Sequence, residues 1–220
     1  MADEGLEIAY GAEELGPVLP RARLFPGRAL RLNAARYELG ATPGLAPSAD
    51  PALLLERHLA GLCSPWAGAS RRFVEGYFAY LRRALADAAE DAAARLAPFA
   101  GLYAVEDWLF SAPALLPRAH LPVGGDGRVR ADFAIWRGDE LVAVLDRDAG
   151  LTPRRVRERD AQLAEAGIAV LPFSGAEIGP ELFDRLLGPR HVRFWEGEHV
   201  PSGPFRPANL DLVPAPAARA

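Results

Sequence analysis

Three carboxylates in this chain stand where buried strands ordinarily carry none. Residues 128–150 read RVRADFAIWRGDELVAVLDRDAG: Asp132 lies early in one apolar run, and Asp146 and Asp148 close the next. An ionised carboxylate at a strand position costs desolvation energy unless a partner compensates it. Residues 133–136 and 141–145 can pair across the turn RGDE, which brings Asp132 and Asp146 to one end of a hairpin. Asp148 follows Asp146 by two, so strand alternation gives it the same face. Carboxylates gathered at one place repel unless a cation lies between them. Hard oxygen ligands select Mg2+ or Mn2+, ions that also hold substrate phosphates, and a bound metal of this kind polarises a phosphodiester and generates hydroxide from water. Taken singly, each acid reads equally well as an ordinary residue, Asp132 as a strand-edge acid beside Arg130 or Arg137 and the other two as loop acids.

The elements that must position these residues follow from pattern. RAHLPV, VRADFAIW and LVAVLD are three strands separated by the turn signals GGDG and RGDE. TPRRVRERDAQLAEAG is a helix, capped by Thr152, with Pro153 at its first position and stopped by Gly167. IAVLPF is a fourth strand, GPELFDRLLG a short helix, and RHVRFWEG an edge strand that buries Phe194 and Trp195. Upstream, GLYAVEDWLFSA reads as a short helix carrying Glu106. Residues 51–97 are helical, with Ser48 or Asp50 as cap, an apolar stripe through Leu53, Leu54, Leu55, His58, Leu59 and Leu62 that CSPWAG breaks, and a second stripe through Phe73, Tyr77, Tyr80, Leu81 and Leu85. The aromatic stripe is read as core. Helix, three strands, helix, strand, helix is an α/β layer order.

Composition narrows the function. The 220 residues carry a formal net charge of −4, which argues against indiscriminate coating of nucleic acid. All 25 basic residues other than histidine are arginine, so no lysine chemistry is available. The bland source of that bias is GC-rich coding. Cys63 stands alone, which excludes an internal disulfide and a cysteine-built zinc site, and it is read as a small buried residue. His120, His191 and His199 have no metal spacing, and no Walker loop, dinucleotide fingerprint or nucleophile elbow is present. The acidic start MADEGLEIAYGAEELG lacks the apolar core of a signal peptide, and no window approaches the roughly 18 apolar residues of a membrane span. The expected compartment is the cytoplasm, with no membrane partner. Residues 20–37 carry five arginines and no acid, either as a DNA-backbone contact or as an arginine-biased surface.

Ala131-Asp132-Phe133, Asp146-Arg147-Asp148, Arg159-Asp160 and the run from Gly167 to Phe173 together resemble the PD-(D/E)xK nuclease superfamily, and within it the very-short-patch-repair-like endonucleases. The likeness covers about residues 102–188, some 40 per cent of the chain. It implies a restriction-endonuclease-like mixed sheet flanked by helices over residues 101–200; by pattern and composition, a mainly helical N-terminal region (1–100) precedes that domain and a Pro/Ala-rich tail (201–220) follows it. It further implies a metal-dependent DNA endonuclease in which Asp132, Asp146 and Glu106 hold Mg2+ or Mn2+. Asp148 would then be a further catalytic acid, Arg147, Arg155, Arg154 and Arg130 would contact phosphates, and Gln162 would lie near the metal, as a glutamine does in the RecB-like branch. The position of the superfamily's motif lysine is Asp148 here, as it often is in the very-short-patch-like branch. Arginine can steady phosphate charge there but cannot act as a general base. The alternative from another class is the same fold kept without catalysis, as a DNA-binding or protein-interaction module. A homodimer is compatible with either reading.

Overall fold

Aromatic residues at helical spacing set the centre of the molecule. Helix α2 (Gly68–Asp87; α1 precedes it at Pro51–Leu62) turns Phe73, Val74, Tyr77, Phe78, Leu81 and Leu85 inward. Its glycine, Gly76, lets a neighbour approach closely: a Cβ there would meet Ile178 Cγ2 at 2.9 Å. The computed structural model describes residues 5–11, 19–35, 50–63, 68–125, 127–148, 150–196 and 201. Most of the Pro/Gly/Ala link at 39–50 and all of the tail beyond Pro201 lie outside these residues.

Asp50 caps α1, its side chain accepting the Ala52 N–H at 2.9 Å, and Pro51 takes the first helical position. Helix α3 (Ala89–Leu96) follows α2, and a 3-10 helix covers Val105–Ser111. The first hundred residues are not helical throughout. Strands β1 (Leu6–Ala9) and β2 (Arg21–Leu24) pair antiparallel, with Leu6 opposite Leu24. The period-two pattern of RARL explains the second strand: Ala22 and Leu24 are buried while Arg21 and Arg23 face out. These arginines are partly engaged, since Arg21 Nη1 lies 2.6 Å from Glu7 Oε1 and Arg31 Nη1 donates to the Ser111 carbonyl.

Downstream, β3 (Leu116–Pro117), β4 (His120–Pro122), β5 (Arg128–Arg130) and β6 (Phe133–Trp136) form one long hairpin in a single register, with Pro117 opposite Phe133 and His120 opposite Arg130. The hairpin is divided between two four-stranded sheets. Its outer half joins the order β2-β1-β4-β5, and its inner half joins β3-β6-β7-β8, where β7 is Leu141–Asp146 and β8 is Ala169–Phe173. The division falls at Arg118, whose N–H donates to the Asp132 carbonyl at 2.7 Å and whose φ of 49° is the only positive value among the described non-glycine residues. β6 and β7 are antiparallel, while β7 and β8 are parallel, joined by α4 (Pro153–Glu165). Parallel neighbours need such a crossover. Helix α5 (Pro180–Leu187) closes the chain's regular part, and Arg137 caps its C-terminus by donating from Nε to the Leu186 carbonyl at 2.9 Å.

Residues 190–196 are turns rather than an edge strand, because their N–H groups are used locally (Glu196 to Arg193 at 2.9 Å). Phe194 and Trp195 are nonetheless buried. The described residues are therefore mixed α/β with two sheets and no barrel, and one hydrophobic cluster runs from Ile8 through α2 to Trp195. No helix among the described residues is long and apolar enough to cross a membrane.

Two outcomes follow for stability. Phe73 is fully buried against the rings of Phe133, Phe173 and Phe183, so Phe73→Ala should lower the unfolding free energy by about 3–5 kcal/mol in urea titrations. His58 has a buried Nε2 with no hydrogen-bond partner among the described residues, and burial lowers its pKa from 6.5 to about 4. The unfolded chain thus takes up this proton first, and stability falls as pH drops from 6.5 towards 4. His58→Gln should flatten that acid limb, whereas an unchanged slope would remove His58 as its cause.

Candidate functional site

The end of β7 carries the first acid. Asp146 is the last residue of that strand, pairs in register with Phe173 of β8, and is the only buried charged residue among those described. Its backbone N–H donates to Asp132 Oδ2 at 2.8 Å, so the two acids lie together at one end of the β6–β7 hairpin, as their spacing predicts. Asp146 Oδ1 in turn accepts the Asp148 N–H at 2.8 Å. Each of the two carboxylates therefore has one oxygen satisfied by backbone, which leaves Asp132 Oδ1 and Asp146 Oδ2 without a bond among the described residues.

Burial is the main influence on Asp132 and raises its pKa; the neighbouring Asp146 charge acts in the same direction. The Asp146 N–H and the positive charges of Arg159 and Arg130 offset part of this. A half-buried carboxylate beside a second one is a natural seat for a divalent cation, which favours both ionised forms.

Asp148 sits differently from its expected place. The strand ends at Asp146, residues 147 and 148 form a turn, and the exposed Asp148 carboxylate accepts the Gly175 N–H at 3.2 Å across the ends of β7 and β8. Arg147 is exposed, with Nη1 3.6 Å from Glu177 Oε1. Glu106 lies exposed on the 3-10 helix Val105–Ser111, which packs on α2, α3 and residues 32–34. Among the described residues no group of three or more His, Cys, Asp or Glu side chains is arranged to hold a metal ion, so Glu106 and Asp148 do not complete a cage with the pair. The two carboxylates are hard oxygen donors of the kind that suits Mg2+, an ion that keeps several waters and needs few protein ligands.

Arg154 and Arg155 are exposed on the first turn of α4, Arg154 donating from Nε to Glu158 at 2.7 Å, and Gln162 is exposed further along. The cation of α4 that acts on Asp132 is Arg159, whose side chain is only 14% exposed and whose Nε lies 3.2 Å from Asp160 Oδ1. Arg130 is exposed on β5, opposite His120.

Sequence reasoning missed one contributor. Helix α2, read only as core, brings its first turns to this end of the sheet, because Phe73 stacks on Phe133, next to Asp132, and packs with its ring tilted against Phe173, opposite Asp146. Arg72, the residue before Phe73, lies over Gly175. The available signal was the pair Arg71-Arg72 placed immediately ahead of the aromatic stripe.

The burial of Asp132 gives a direct test of this electrostatic picture. A carboxyl whose folded pKa is raised holds protons that the unfolded chain has released, so its charge lowers stability as pH rises above the ordinary value of 3.8. In EDTA at pH 7, Asp132→Asn should raise the melting temperature by a few degrees, the gain shrinking as the pH is lowered into the carboxyl range. A gain that persisted unchanged at acid pH would mean that charge burial is not its source. Comparisons of the chain with models of protein families, with curated proteins and with solved structures return no match.

Proposed function

We propose that this chain is a metal-dependent DNA endonuclease with a restriction-endonuclease-like domain. The observation that supports the reading is the joined pair, Asp132 ahead of β6 and Asp146 at the end of β7, set at the rim of a sheet whose last two strands are parallel. Asp132 and Asp146 would hold Mg2+ or Mn2+ through the oxygens that the backbone donors leave open. When bound, such an ion supplies Lewis acidity towards a phosphodiester and lowers the pKa of a bound water. Asp148, tethered by the Gly175 N–H and otherwise exposed, would orient the attacking water. Arg147 would steady phosphate charge, since its exposed pairing with Glu177 at 3.6 Å is of the weak kind that substrate displaces. Arg130, Arg154 and Arg155 would extend the phosphate track on either side.

A second reading is favoured by two specific observations. The tether of Asp148 to Gly175 and the absence of any lysine both suit a nuclease fold kept as a DNA-binding or protein-interaction module. Plasmid nicking with 5 mM Mg2+ or Mn2+ (values on the order of those that saturate weak sites), together with thermal melts, separates the two. Under the nuclease reading the wild type cleaves, Asp132→Ala and Asp146→Ala reduce cleavage to background while remaining folded, and Mn2+ raises the melting temperature of the wild type but not of Asp146→Ala. Cleavage that survived either substitution would sink the assignment. A wild type that binds DNA without cutting it in either metal would favour the module.

A further inference from the structure

The glycine at position 175 has a reason that backbone geometry does not supply. Its φ is not among the positive values of the chain, so the left-handed freedom of glycine is not what the position uses. What a side chain would meet there is Arg72: a Cβ on Gly175 would lie 2.5 Å from Arg72 Nη2 and 3.5 Å from Cζ. The guanidinium thus rests on bare backbone, on the same residue whose N–H holds Asp148 at 3.2 Å. The seat lies two residues beyond Phe173, which is paired with Asp146.

Three of the other guanidiniums near this rim have acidic neighbours. Arg147 faces Glu177 at 3.6 Å, and the other Glu177 oxygen is held by the Ser174 N–H at 2.8 Å. Arg159 is 3.2 Å from Asp160, and Arg154 is 2.7 Å from Glu158. Arg72 is exposed and has neither a hydrogen bond nor an ion pair among the described residues. It is a cation positioned by packing alone, beside three carboxylates that would otherwise repel a polyanion. A guanidinium in that state presents its donors as a planar fork suited to two phosphate oxygens.

We propose that Arg72, delivered by α2 and aimed by Gly175, is the residue that grips a DNA backbone phosphate beside the Asp132–Asp146 pair. This rests on the nuclease-fold reading above and adds a contact from outside the segment that suggested it. Gly175 acts as a positioning residue, because it touches no substrate and determines only where the guanidinium lies. The helical N-terminal part of the chain then has a role in the site beyond filling the core.

Fluorescence anisotropy of a labelled DNA duplex, in Ca2+ and again in EDTA, tests the assignment on the full chain without requiring cleavage. Arg72→Ala should weaken binding about tenfold at roughly 0.1 M salt and lower the slope of log K against log salt by about 1. Gly175→Ala keeps the charge but pushes away the far end of a flexible side chain. It should therefore weaken binding in the same direction while the melting temperature stays within about 1 °C of wild type. Arg83→Ala, at the other end of α2 and beside Asp87 at 3.8 Å, is the control for simple loss of charge and should bind as wild type does. Wild-type affinity in both Arg72→Ala and Gly175→Ala, with the wild type itself binding DNA, would overturn the role of Arg72 and leave the nuclease reading standing. A loss in Arg83→Ala equal to that in Arg72→Ala would also overturn it, as would a wild type that binds no DNA in either buffer, which would remove the nuclease reading as well.

Discussion

Phe73 touches three rings from three separate stretches of chain: Phe133 at 4.7 Å, Phe173 at 4.8 Å and Phe183 at 5.3 Å between centroids. Two of these are fixed to the acids, Phe133 as the residue after Asp132 and Phe173 as the register partner of Asp146. The same ring therefore sets the distance between the helix that carries Arg72 and the strand ends that carry the carboxylates. Offset and edge-on aromatic pairs contribute about 0.5–1.5 kcal/mol each beyond the area they bury, and close-packed interiors move little. The site's geometry is thus inherited from the core. Polar groups at the rim are held where hydrophobic packing puts their neighbours.

That arrangement places an electrostatic cost next to the aromatic core. Asp132 loses hydration through burial and faces the Asp146 charge, with only Arg159 and Arg130 and one backbone N–H in opposition. Strain lies close by as well, since Arg118, opposite Asp132 in the hairpin, holds a left-handed conformation that a non-glycine residue rarely adopts. Unfavourable local states of this kind persist only where the surroundings over-determine them. Here the surroundings are two sheets and an aromatic cluster, which supply that determination from both sides of the kink.

How much of this was legible in the sequence depends on the range of the signal. The β6–β7 hairpin, α4 and β8 were readable because turn residues, period-two runs and a Thr-Pro cap are local, and the proximity of Asp132 and Asp146 followed from them. The two N-terminal strands were missed because four-residue runs carry little periodicity, and the arginines of the second suggested surface rather than strand. The fate of Asp148 was illegible for a different reason. Strand alternation assumes that the strand continues, and β7 stops at Asp146 with a turn that swings the next acid towards Gly175. Arg72 was hidden because nothing local connects residue 72 with residue 175. Only the docking of α2 on the sheet does so, and docking is a tertiary event that composition and spacing do not encode.

The separation between Phe73 and Phe173 also bears on the order in which the molecule is completed. Chains emerge N-terminus first, and a contact between residues this distant must wait for loop closure across everything between them. A nascent chain that has reached the β6–β7 hairpin already contains Asp132 and Asp146, yet it lacks β8, the Gly175 seat and the ring that presses α2 into place. In that interval both acids are hydrated loop-end residues, without the burial that raises the pKa of Asp132 in the folded chain. The chain therefore carries its acids through most of synthesis in an unassembled form, and they become a site only when the last strand of the second sheet slides in parallel to β7.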